Sequence, residues 1–169
     1  MLAIYAFDHE LRRAPQIASK PLLAEIRLTW WSEVLDEIYG GAAVRLHPTA
    51  QALATAVERR GLTRPPLDAA LDARLYTLEG DRVAGEAEAA QAVTEAAALA
   101  LDPGVDRGAC RILGAAWAAG AITPEARTAA RRIAAPAFPA VAHVTLAGRT
   151  GSELAKRLRI TWAVARGRI

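Results

Sequence analysis

Residues 21–41 read PLLAEIRLTWWSEVLDEIYGG, and this stretch decides the fold. At about 100° per residue, Leu23, Ile26, Trp30, Trp31, Val34, Leu35 and Ile38 spread over more than half of a helical circumference. Glu25, Thr29, Ser32 and Asp36 gather in a narrow polar strip opposite. Pro21 suits a first helical turn, Ser19 offers a cap just ahead of it, and Gly40-Gly41 ends the run. A helix so broadly apolar is expected inside a bundle, with Ile26, Trp30 and Val34 in the core. Arg27 falls near the middle of the apolar arc, where burial of an unpaired charge is costly. It should therefore meet a carboxylate, with Asp8, Glu10 and Asp72 as candidates, or snorkel past Trp31 to water.

The same punctuation recurs outward from this helix. Pro48 opens a segment that Gly61 closes, and Pro65-Pro66 opens another running to about Leu78. Asp81 begins a segment to about Leu101, and Asp106 leads into one ending near Gly120. Thr123 precedes Pro124 as a cap before a first-turn proline. Thr150 and Glu153 have the spacing of a capping box for a last helix. Strand-like alternation is absent, and neither an internal repeat nor a low-complexity linker interrupts the chain. The expectation is an all-α protein, a single helical domain over residues 1–169.

Composition narrows the class. The chain has 169 residues, long enough for one domain with a real core. Hydrophobic residues make up 53% of the chain, much of it alanine, and aromatics only 5% of the chain, so helices should pack closely through small side chains. The single cysteine, Cys110, excludes an internal disulfide and points to a reducing, cytoplasmic setting. His9, His47 and His143 lack zinc-type spacing. Asp8, Glu10, Arg12 and Arg13 interrupt any signal-like segment. The longest uncharged run, Ile133 to Gly148, is shorter than the ~20 apolar residues of a membrane span and is broken by Pro136 and Pro139. The protein is expected to be soluble, or peripheral to the inner face of a membrane.

Charge is unevenly placed. Residues 1–101 hold 10 basic and 14 acidic residues, a balance of −4, whereas residues 102–169 hold 11 and 4, a balance of +7. A basic half of this kind suits an acidic protein or an anionic membrane, or forms a solvated arginine face. Nucleic acid is not an expected partner, because no DNA-binding module surrounds the basic residues.

Tyr5-Ala6-Phe7, followed by IRLTWWSEVLDEIYGG at 26–41 and His47-Pro48, resembles the squalene/phytoene synthase family. The segments LDAALDARLYTL, RILGAAWAAGAI and KRLRITWAVARGRI extend the likeness in order along the chain. The resemblance implies an all-α bundle around a central cavity, lined here by Tyr5, Asp8, Arg12 and Arg27. Active members hold Mg²⁺ between two aspartate-rich motifs and condense prenyl diphosphates, chemistry that needs several carboxylate oxygens. In this chain the positions of the first motif carry Arg12, Arg13 and Gln16. Between Gly120 and Ile169 the only acids are Glu125 and Glu153, so a second motif has no counterpart. The chain is also short for the family, opening where an upstream helix would normally precede.

The resemblance thus implies a retired catalytic site with no cofactor and no metal. It implies a binding, scaffold or assembly role, similar to that of a mitochondrial assembly factor for respiratory complex I with this fold, and a protein partner. The competing readings are a prenyl-diphosphate transferase and a carrier that keeps the cavity for a small lipid. Asp68 and Asp72, four apart on one helix face, are the remaining metal candidates, although Asp68 also suits a helix first turn. Asp8 and Arg12 stand in the favourable order for an ion pair. In the last helix Leu154, Leu158 and Trp162 are spaced to close the bundle. Lys156, Arg159 and Arg166 then form an outward basic face.

Overall fold

The computed structural model describes residues 1–18 and 20–169, and of Glu79 the backbone only. Among the described residues the chain forms helices and no strand. The order is α1 (Leu2–Ile17), α2 (Pro21–Gly40), α3 (Pro48–Arg60), α4 (Pro65–Glu79), α5 (Arg82–Leu99), α6 (Arg107–Ala118) and α7 (Pro124–Ala130). The short α8 (Phe138–Val141) then runs into a 3₁₀ turn (Ala142–Leu146), and α9 (Glu153–Arg166) ends the bundle.

The punctuation acts as the residue types dictate. Prolines stand in the first turns of α2, α3, α4 and α7. Gly41 and Gly61 end α2 and α3 in the left-handed conformation at φ 71° and 59°. Asp81, Asp106 and Thr123 accept hydrogen bonds from the backbone N–H groups of Ala84, Ala109 and Ala126. Two details of the sequence reading change or fall away. The cap of α9 is Ser152, whose hydroxyl accepts from Ala155 N–H, rather than Thr150. A helix capped by Thr150 would have to begin at Gly151, whose φ of 156° is not helical. The cap assigned to Ser19 lies outside the described residues; α2 is entered from extended Lys20.

Helix α5 is the axis of the bundle, flanked by α4 and α6 and met by α1 and α8. Its buried face is Ala89, Ala92, Val93, Ala96 and Ala97, and such small side chains let neighbouring backbones come close. Gly114 of α6 sits at a tight crossing with α5: a Cβ there would lie 2.5 Å from the Ala90 carbonyl oxygen and 2.6 Å from Gln91 Cα. Backbone atoms cannot rotate aside. Gly114→Ala is therefore expected to cost about 1–3 kcal/mol in urea unfolding. Gly104→Ala, which meets only the Asp102 side chain at ordinary contact distance, serves as the control.

The uncharged run at 133–148 is buried over most of its length, with 134–136 at the surface. Phe138, Val141 and Val144 are fully buried there. No helix among the described residues is long and apolar enough to cross a membrane.

Helix α2 corrects the expectation drawn from its apolar arc. Ala24, Leu28, Trp31, Val34 and Leu35 form its buried stripe, against α1, α3 and α4. Val34 is core as expected, but Trp30 is only partly buried and Ile26 is 56% exposed. Leu22 and Leu23 are exposed too. The arc is wider than the neighbouring helices cover, so its outer third lines an open groove instead of the core.

Candidate functional site

Tyr5, Asp8 and Arg12 recur at i, i+3 and i+7 and so share one face of α1. That face borders a cavity of about 410 Å³. Ala90, Val93 and Thr94 of α5, Trp117 of α6, Pro139, His143 and Ile160 of α9 complete its lining. Tyr5 donates a hydrogen bond to the Ala140 carbonyl at 2.9 Å. The His143 ring stands edge-on between Tyr5 and Trp117, with ring centres 6.2 and 5.0 Å away. Burial, aided by the charge of Asp8, pushes the Tyr5 phenol up to about 12. Burial also pushes His143 below the ordinary histidine value, so its ring is neutral at pH 7.

Among the described residues lining this cavity Asp8 is the one carboxylate, and it is fully engaged. Arg12 bonds one of its oxygens, as the i, i+4 spacing suggests, and Arg74 of α4 bonds the other at 2.9 Å. Arg74 is only 2% exposed and also reaches Glu86 of α5 at 2.6 Å. Burial opposes the Arg74 charge, but its bonds to Glu86 and Asp8 outweigh that cost and raise its pKa. Four side chains from three helices thus neutralise one another beside the cavity. A divalent cation needs several free carboxylate oxygens, and Asp8, with both of its oxygens engaged, offers none.

Arg27 takes no part. It is exposed and lies with Glu10, Ala14, Ile26, Trp30, Trp31 and His47 around a separate groove of about 330 Å³. The buried arginine held by Asp8 is Arg74, not Arg27, because the outer third of α2 borders an open groove instead of the core. Arg27 therefore reaches solvent past Trp31. Arg13 and Gln16 are likewise exposed.

Asp68 and Asp72 share a helix face but serve different surroundings. Asp68 accepts from Arg64 Nε at 2.9 and 3.1 Å, and Arg64 also bridges to Asp36 at 2.8 Å. Asp72 is exposed, bordering a shallow depression with Tyr76, Glu88 and Arg111. Among the described residues no group of three His, Cys, Asp or Glu side chains converges as a metal site. Cys110 is buried, and burial raises its thiol to about 12, so it is an inert core residue.

The last helix is turned the opposite way from the sequence expectation. Leu154, Leu158 and Trp162 are 69%, 61% and 60% exposed, while α9 packs inward through Ala163 and the partly buried Ile160. Arg159 and Arg166 are exposed as expected, but Lys156 lies on the inner flank and is paired with Glu153 at 2.7 Å. Close approach to the 3₁₀ turn favours small Ala163 over the bulky stripe.

Sequence reasoning missed Arg74, His143 and Trp117. A signal for Arg74 was present: Leu67, Leu71, Arg74 and Leu78 recur at i, i+4, i+7 and i+11, placing a charge within an apolar stripe. Nothing local marked His143 or Trp117, which the tertiary fold brings to Tyr5.

An all-helical bundle with a YAF-bearing first helix over a cavity between helices defines a class of protein. The squalene/phytoene synthase family model matches residues 1–92, and the chain belongs to that family. The match runs from α1 into α5 and includes Tyr5, Asp8, Arg12 and Arg74; Trp117, His143 and α9 lie beyond it. No curated protein and no solved structure matches the chain.

Proposed function

We propose that this chain is a non-catalytic member of its family that acts as a binding, scaffold or assembly protein. The observation that supports this reading is the occupation of Asp8 by Arg12 and Arg74. A site for Mg²⁺ and diphosphate would keep its carboxylates free for metal, and here Asp8, the one acid among the described lining residues, is consumed by two guanidinium groups. The half-buried Asp68 and exposed Asp72 do not replace it, since Arg64 engages the first and, among the described residues, the second has only Glu88 beside it, short of a group of three. A respiratory complex is the assembly that the family resemblance suggests, with a protein subunit as partner.

Isothermal titration calorimetry with farnesyl diphosphate, with and without Mg²⁺, tests the absence of metal-dependent chemistry. The expected result is no Mg²⁺-dependent heat. Micromolar, metal-dependent binding abolished by Asp72→Ala would overturn the reading and restore the transferase.

A further inference from the structure

We propose that α9 is an in-plane docking helix for an anionic lipid surface. Leu154, Leu158 and Trp162 follow one another at i, i+4 and i+8, an apolar line about 12 Å long at 1.5 Å per residue. All three point away from the bundle, because Ala163 and Ile160 fix the opposite side of the helix. The stripe is bordered by cations. Arg157 lies about 100° to one side of Leu158, and Arg159 lies about 100° to the other, where Arg166 joins it. All three arginines are exposed. The Arg166 guanidinium sits over the Trp162 ring, 4.1 Å from its centre. An aromatic ring carrying a cation on its face suits the boundary between lipid headgroups and acyl chains.

Charge complementarity selects the occupant. From Arg149 to Arg168 the chain holds six basic residues and one acid, Glu153, which Lys156 already engages. A protein groove fitted to this helix would need acidic banks on both sides of an apolar floor. An anionic bilayer presents that arrangement in every direction and in any register, with its apolar layer directly beneath the negative headgroups. The inference does not depend on whether the Asp8 cavity retains any chemistry, so it can fail or stand independently of the proposed function.

The test is co-sedimentation of the full chain with two sets of vesicles, one of phosphatidylcholine alone and one of phosphatidylcholine mixed with phosphatidylglycerol. Binding at least tenfold stronger to the anionic set is expected, falling as salt is raised, because exposed charges are screened over about 10 Å at 0.1 M. Leu158→Ser/Trp162→Ser should abolish it, and Arg157→Ser/Arg159→Ser/Arg166→Ser should reduce it to the level of the neutral vesicles. Both sets of substitutions fall on exposed side chains, and an unchanged helical circular dichroism spectrum checks that the bundle persists. Equal binding to both vesicle sets overturns the proposal, as does retention of binding by the serine variants. A dimer in solution that Leu158→Ser/Trp162→Ser dissociates also overturns it, since a second copy would then cover the stripe.

Discussion

Arg74→Leu is expected to destabilise the bundle by about 3–5 kcal/mol, because it removes the centre of a buried ion-pair cluster and leaves the charges it held. The wild-type guanidinium is 2% exposed and joins Asp8 of α1 to Glu86 of α5. Without it, Asp8 keeps Arg12, but its second oxygen is left buried and unpaired. Glu86 is part-exposed and can turn to water, so the larger share of the loss should arise at Asp8. Urea unfolding gives the measurement. Pairing Arg74→Leu with Asp8→Leu should recover much of the loss, because the charge and its former partner are then both absent. If Arg74→Leu alone unfolds within about 1 kcal/mol of wild type, the cluster is hydrated and does not hold α1, α4 and α5 together.

That cluster shows where reading the sequence succeeds and where it stops. Proline at first turns, glycine at helix ends and capping Asp or Thr residues are local devices. They act through the backbone of their own turn, so α3, α4, α5 and α6 were legible to within about two residues, as was the start of α7. The Asp8–Arg12 pair was legible for the same reason, since i, i+4 neighbours meet in any helix. Arg74 and Asp8 are 66 positions apart, and only the packing of α4 on α1 joins them. The family likeness carried in residues 5–48 supplied the fold, yet it could not say which arginine would enter the interior. The misplacement of Arg27 and the inversion of α9 have a common cause. Periodicity reports which side chains share a face of a helix, but not whether another helix lies against that face. Ile26 and Leu158 are apolar residues on apolar faces that no described residue covers.

The aromatic junction between α1 and α2 carries the second large expected effect. Trp31 is buried and meets three rings edge-on: Phe7 of α1 at 5.3 Å, Trp30 at 4.9 Å and His47 at 5.4 Å. Truncating a buried tryptophan removes its transfer free energy and leaves a cavity that helix backbones close only partly. Trp31→Ala should therefore cost about 3–5 kcal/mol, a large part of the 5–15 kcal/mol that holds a typical domain together. Each edge-on ring pair adds about 0.5–1.5 kcal/mol beyond burial, which places the loss toward the upper end. Ile26, five residues earlier on the same apolar arc, gives the contrast. It faces the open groove, so Ile26→Ser should change stability by no more than about 0.5 kcal/mol. Chemical unfolding of the two variants beside wild type decides the point. A stable Trp31→Ala protein would place the α1–α2 contact elsewhere. An Ile26→Ser loss as large as that of Trp31→Ala would mean that the outer face of α2 is covered in solution.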